Sequence, residues 1–326
     1  MKRLKIAVVF GGDSSEREIS LVSGAAVFES LDRAKYDPML VEISKHGWYA
    51  LPGHEAIDKN DFSVGGIPFD YVLIMIHGTP GENGVLQGYF DLLGVPYSGP
   101  GLEASAITFN KKLCKHVVRE IKGVALAREI SLVRGASYDS GQIVAELGLP
   151  LFVKPNASGS SCGVSKVKRV EELDRAIAAA FAEGDSVLLE EYIRGVEISQ
   201  GVMICGGKEY IMPATELVSE NEFFDYEAKY TVGKTHEITP ARISKTVASS
   251  VLRISLEAYS LLACRGVVRM DYIIKDEVPY FIEVNTVPGM SKQSIIPQQW
   301  AAIGLTMGDG FDLIINDTKN VKTIEK

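Results

Sequence analysis

The stretch "GVVRMDYIIKDEVPYFIEVN" (266–285) constrains this chain more than any other. Two runs rich in β-branched and aromatic residues are joined through Asp276 and Glu277, a connection too short for anything but a hairpin, so an antiparallel sheet must lie near the C-terminus. Residues two apart in a strand share a face. Glu283 and Asn285 therefore point the same way, and the turn brings Asp271 opposite them within a residue. Their neighbours in "RMDY" and "FIEVNTVPG" are apolar, so the acids are partly buried and need a partner. A hard cation such as Mg²⁺ takes oxygen ligands and keeps phosphate oxygens and water as the rest of its shell. The competing reading is an exposed polar face of the hairpin.

The other end of the chain has a different rhythm. "LKIAVVF" (4–10), "PMLVEI" (38–43) and "YVLIMI" (71–76) are short apolar runs near helical stretches at about 15–31 and 84–93, which predicts a parallel α/β sheet. Ser15 and Glu18 have the spacing of a capping box. "VPYSGPG" (95–101) is a turn-rich break. Beyond it the pattern predicts one helix from Ser105 to about Ile121, strands at 151–155 and 186–193 flanking a helix near 170–182, and a long helix at about 243–264. The expected units are 1–100, 101–190 and 191–326.

A metal on oxygen ligands suggests a nucleotide. The stretch "NASGSSCGVSKV" (156–167) follows a strand and is rich in glycine and hydroxyl groups, yet it lacks the Gly-Lys-Ser/Thr ending of a P-loop. Lys154 before it, and Lys111 in the preceding helix, could meet phosphate as point charges or could be solvated surface lysines. In "SVLLEEYIRGVE", the carboxylates of Glu190 and Glu197 could hold an adenine amino group or ribose hydroxyls. The N-terminal "FGGDSSEREIS" lacks the third glycine of a dinucleotide fingerprint, and Glu16 and Glu18 would repel a pyrophosphate; a carboxylate there suits an ammonium group. "IHGTPGENGVLQG" (76–88) places His77 at the carboxyl end of a strand, where α/β sheets bind ligands. "NEFFDYEAKYTVGKTH" (221–236) reads as a lid or as a surface loop.

Charge argues against two partner classes. With 34 Lys+Arg against 42 Asp+Glu, the net charge of −8 offers no basic surface to nucleic acid or to an anionic membrane. No apolar run approaches the roughly 18 residues of a bilayer span, and the apolar run near the start is too short for a signal segment. The four cysteines are scattered without metal-site spacing, which predicts free thiols and a cytoplasmic protein.

Taken in order, "GGDSSEREISLVSG", "HGTPGENGVLQG", "YSGPGLEASAITFNKKLCK", "VKPNASGSSCGVSKV", "LLEEYIRGVE", "FFDYEAKY", "RMDY" and "FIEVNTVPGMSKQSIIP" resemble the D-alanine:D-alanine ligases of the ATP-grasp superfamily, from about residue 5 to residue 304. The resemblance implies a three-domain ATP-grasp fold, α/β and α+β, with an N-terminal parallel-sheet (preATP-grasp) domain. ATP would lie between the central and C-terminal sheets, and two D-alanine molecules would be joined through an acyl phosphate for peptidoglycan precursor synthesis. By motif position, Asp271, Glu283 and Asn285 would bind two Mg²⁺ or Mn²⁺ ions. Lys111, Lys154 and Lys229 would hold phosphates, and Glu190 and Glu197 would contact adenine and ribose. Glu16 would take the first D-alanine's ammonium near His77, Arg269 and the Gly289 N–H would stabilise the oxyanion, and Ser294 would bind the second carboxylate. Ser160 and Tyr230 would join Glu16 in a hydrogen-bonded triad, and Tyr230 favours D-alanine over D-lactate as acceptor. A D-lactate- or D-serine-using ligase is the alternative, and a homodimer is expected. Asn83, Phe224 and Ile295 stand where the family often has Asp, Tyr and Leu.

Overall fold

The structure, a computed structural model, describes residues 2–157, 159, 162–219 and 235–324. Three sheets carry it. The first contains β1 (Leu4–Gly11), β2 (Tyr36–Ser44), β3 (Gly47–Leu51), β4 (Glu55–Ala56) and, after a small ribbon of β5 (Ser63–Val64) and β6 (Ile67–Pro68), β7 (Tyr71–Ile74). Its order is β4-β3-β2-β1-β7, with β1 parallel to both neighbours and the β2-β3-β4 edge antiparallel. Strand β1 is an unbroken apolar run because both its faces are covered: Ile6, Val8 and Phe10 pack with Val27 of α1 (Arg17–Ser30), while Ala7 and Val9 pack with Leu86 and Phe90 of α2 (Val85–Leu93).

Helix α1 begins later than the Ser15/Glu18 spacing predicts. Its N-cap is Glu16, without a side-chain cap, and the Ser15 hydroxyl lies 2.9 Å from the Cys162 thiol instead. The single helix expected from Ser105 is two, α3 (Leu102–Phe109) and α4 (Lys111–Val118). Asn110 leaves the helical region (φ −89°, ψ 100°) and its side chain accepts a hydrogen bond from Leu113 N–H, so a local Asn cap overrides the apolar period. Lys111 thereby becomes the first residue of a new helix.

The second sheet joins β8 (Glu129–Val133), β9 (Leu151–Pro155), β10 (Ser165–Val167) and β11 (Ser186–Glu191) in the antiparallel order β10-β9-β11-β8. Leu151, Val153, Val187 and Leu189 turn towards α5 (Ser140–Leu147) and α6 (Leu173–Ala182). Alternation leaves Phe152, Lys154, Leu188 and Glu190 on the opposite face.

The third sheet contains β12 (Val196–Cys205), β13 (Lys208–Ile211), β14 (Thr215–Ser219), β15 (Thr235–Ile238), β16 (Gly266–Lys275) and β17 (Val278–Asn285), ordered β15-β14-β12-β16-β17 with β13 paired to β12. Every pairing is antiparallel. Ile198, Val202, Met270, Tyr272 and Val284 bury one face against Val251, Ile254 and Ala258 of α7 (Lys245–Leu261), with Cys114 and Val118 of α4 in the same core. The first and third sheets share another core: Trp300 of α8 (Ile295–Ala302) and Phe311, Ile314 and Ile315 of α9 (Met307–Ile324) sit among Ile6, Val8, Met203 and Val267. All four cysteines are free thiols. Among the described residues no helix is long and apolar enough to cross a membrane.

Candidate active site

Register on the third sheet decides what meets what. Asp276 and Glu277 both have positive φ (50° and 63°), as a two-residue hairpin turn with the strands' own twist requires. The turn sets Asp271 directly opposite Glu283 and Arg269 opposite Asn285, with a bulge just beyond Asp271. On the other side of β16, Ser199 lies opposite Asp271, and Glu197 lies two residues along β12. Glu197, Ser199, Arg269, Asp271, Glu283 and Asn285 thus share the face that α7 leaves uncovered.

The Asp271 carboxylate receives both arms of the Arg269 guanidinium, at 2.9 and 2.8 Å, and the Ser199 hydroxyl at 2.6 Å. Glu283 meets the Lys111 ammonium at 3.2 Å. Beside them Asn285 Oδ1 is buried with no hydrogen-bond partner. A buried amide oxygen left bare next to two carboxylates is a donor set for a hard divalent cation. Among the described residues no group of three Asp, Glu, His or Cys side chains gathers as a metal site, so a cation here would rest on two carboxylates, this amide, and oxygens of substrate and water.

Helix α4 bridges the second and third sheets with its lysines. Lys111 reaches Glu283, and one turn on Lys115, 1% exposed, is paired with Glu129 at 3.0 Å and with Glu190. Glu190 also holds Lys154, at 2.7 Å. Burial alone would raise the Glu190 carboxyl, but Lys154 and Lys115 together pull it down to about 2. Burial lowers Lys154 against the pull of Glu190, with the charges of Lys115 and Lys111 adding to the descent. Glu190 thus serves in this structure as the anchor of two lysines.

The third part of the site comes from the first sheet. Glu16 is buried below the glycine-rich loop: a methyl group at Gly159 would lie 2.2 Å from Glu16 Oε2, and one at Gly78, 2.8 Å. His77 is fully enclosed. Its Nδ1–H donates to Val287 O at 2.7 Å, and its Nε2 accepts from the Ser23 hydroxyl at 3.0 Å; Ser23 Oγ in turn accepts from Met290 N–H at 3.2 Å. The carbonyl at Nδ1 fixes the neutral tautomer, and burial lowers the ring to about 4. His77 therefore clamps the segment 287–290, which carries Gly289 beside Ser294: a Cβ on Gly289 would lie 3.0 Å from Ser294 Oγ. Ser294 is the N-cap of α8 and its hydroxyl accepts from Ser291 N–H at 3.0 Å. Ser160, Lys229 and Tyr230 lie outside the described residues.

The model of the D-ala D-ala ligase N-terminus matches residues 5–66 and that of the D-ala D-ala ligase C-terminus matches residues 123–316. The chain belongs to the D-alanine–D-alanine ligase family. It is 46% identical to the D-alanine–D-alanine ligase of Parabacteroides distasonis, with 98% of each chain covered, and 41% identical to that of Porphyromonas gingivalis, covering 98% of this chain and 99% of the relative. Among solved structures it resembles the D-alanyl-alanine synthetase A of Vibrio cholerae (TM-score 0.88, 28% identity, 98% and 99% covered). It also resembles the Bacillus anthracis D-alanine–D-alanine ligase complexed with ATP (TM-score 0.80, 30% identity, 99% and 100% covered) and the VanG D-Ala:D-Ser ligase of Enterococcus faecalis (TM-score 0.86, 31% identity, 97% and 100% covered).

Three residues of this ligase-family chain were not singled out in its sequence. Lys115 carries a findable signal, since it follows Lys111 by four positions on one helical face. Glu82 is buried and accepts from Gly78 N–H at 2.9 Å and Val287 N–H at 3.2 Å, a second clamp on the segment that His77 holds. Burial, with the Glu16 charge added, raises its carboxyl to about 8. Glu237 has no local signal at all; only the register of β15 puts it on the site face.

Proposed function

We propose that this chain couples two molecules of D-alanine at the expense of ATP. The observation that carries the reading is the convergence of Asp271, Glu283 and the bare Asn285 Oδ1 on one sheet face, beside Lys111 of α4, Lys154 of the second sheet and a carboxylate under a glycine-rich loop. Asp271, Glu283 and Asn285 would hold Mg²⁺ or Mn²⁺, two ions, which when bound neutralise charge on the β- and γ-phosphates. Lys111 and Lys154, joined by Lys229, hold the phosphate oxygens, and Glu197 meets the ribose, with Glu190 at the adenine end of the lysine pair.

Carboxylates are poor electrophiles at neutral pH, so the first D-alanine must be activated. Its ammonium rests on Glu16, its carboxylate takes the γ-phosphoryl group, and the acyl phosphate then accepts the second D-alanine's amine with release of phosphate. Phosphoryl transfer asks mainly for positioning and charge neutralisation. Arg269 and the Gly289 N–H, the latter fixed by the His77 and Glu82 clamps, face the oxyanion of the tetrahedral intermediate. Ser294 and the N-terminal end of α8 take the second carboxylate. Ser160, Tyr230 and Glu16 form the triad over the first substrate.

The residues 1–100, 101–190 and 191–326 form the three units of the ligase, which works in the cytoplasm as a homodimer and supplies peptidoglycan precursors. A D-serine- or D-lactate-using enzyme is the second reading, prompted by the likeness to the D-Ala:D-Ser ligase. An acceptor panel of D-alanine, D-serine, D-lactate and L-alanine, with phosphate release and product mass as readouts, tests both. D-alanyl-D-alanine is the expected main product; turnover only with another acceptor would replace the reading.

A further inference from the structure

Glu237 is a half-buried carboxylate that faces the site with a neutral partner. Across the third sheet it lies opposite Leu217, which lies opposite Glu197, so it shares the face of Asp271, Glu283 and Arg269. Gln298 Nε2 donates to Glu237 Oε2 and to Gln293 O at 2.7 Å. Gln298 is one turn after Ser294, its N–H donating to Ser294 O at 3.2 Å, and the neighbouring Gln299 is fixed on the same face by Ser199 O at 2.9 Å and Thr215 Oγ1 at 3.0 Å. Burial pushes the Glu237 carboxyl upward, opposed by the Gln298 hydrogen bond and, less, by the more distant Arg269 charge. Among the described residues no lysine or arginine forms an ion pair with it.

A half-buried carboxylate on the site face, held by a neutral amide and with no ion pair among the described residues, can receive a cation. The proposed function gives the first ammonium to Glu16, whose carboxylate abuts Gly78 and Gly159. Building on the proposed function, we infer that Glu237, braced by Gln298, receives the ammonium of the second amino acid while Ser294 holds its carboxylate, and so selects amino acids over hydroxy acids at the acceptor position. Two acidic groups then read two ammonium groups, one per substrate. The neutral Gln298 is suited to this post: it orients the carboxylate without cancelling its charge.

The test is Glu237→Gln in the full chain, with steady-state kinetics in D-alanine resolved into first-site and acceptor-site KM, and with D-lactate as a competitor at the acceptor site. Loss of a charge-assisted hydrogen bond predicts an acceptor KM higher by roughly ten- to hundredfold, with the KM for ATP and for the first D-alanine unchanged. D-lactate has no ammonium, so its inhibition constant should not move. Glu237→Asp, which keeps the charge, and Gln298→Ala, which loosens it, should each shift the acceptor KM in the same direction by less. An unchanged acceptor KM in an active variant overturns the inference, as does an equal shift for D-alanine and D-lactate, which would mark a merely structural residue. If the unaltered enzyme makes no dipeptide from D-alanine, the proposed function falls and this inference with it.

Discussion

Lys115→Met removes a buried charge that two carboxylates share, and its cost can be worked from the structure. The lysine side chain is 1% exposed, against 16% for Glu129 and 11% for Glu190, so neither acid can recover its lost partner by turning fully into water. Breaking a buried ion pair from one side costs about 3–5 kcal/mol. An independent route gives a similar size: a carboxyl held at about 2 in the fold against an ordinary 4.5 contributes about 3 kcal/mol at neutral pH. Lys154 keeps part of that, while Glu129 loses its pairing with Lys115, so we expect a loss of about 3 kcal/mol. Equilibrium urea denaturation at pH 7, followed by circular dichroism, measures it. The pH dependence carries the sign. A depressed carboxyl stabilises the fold above about 4.5 and that contribution is lost as pH falls towards 2, so the unaltered protein should weaken across this window and the variant should weaken less. A variant within 1 kcal/mol of the parent, with the same acid profile, would refute the account of the network.

Gly159→Ala adds a methyl group 2.2 Å from Glu16 Oε2, so the loop must lift; the fold should persist while the KM for the first D-alanine rises at least tenfold in phosphate-release kinetics. Glu82→Gln removes a carboxyl raised to about 8: the parent should lose stability as pH climbs from about 4.5 to 8, because the fold resists an ionisation that the unfolded chain accepts, and denaturation curves of the variant should be flatter there. Glu283→Gln keeps the shape but removes the carboxylate charge opposite Asp271, and turnover should fall more than a hundredfold with an unchanged circular dichroism spectrum; retained turnover would take the hairpin out of the reaction.

Much of the site was legible locally. A two-residue turn and period-2 alternation suffice to put Asp271, Glu283 and Asn285 on one face, because strand geometry propagates register over a few residues without help from elsewhere. The glycines beside Glu16 were likewise visible, as were Lys111 and Lys154. The helix boundary at Asn110 was not, since the apolar period runs through it and only the cap decides. Nor was the Ser15/Glu18 capping box real: Ser15 spends its hydroxyl on Cys162, 147 residues away.

The sequence alone thus determined the hairpin, the parallel N-terminal sheet and the kinds of side chain available for chemistry, all consequences of short-range sterics and periodicity. Tertiary structure decided the partners. Lys115 between Glu129 and Glu190, the His77 and Glu82 clamps on 287–290, and Glu237 across two strands from Glu197 join segments from 14 to 210 residues apart. Buried charges are satisfied by whatever the packing brings within about 3 Å, and no spacing along the chain encodes that distance.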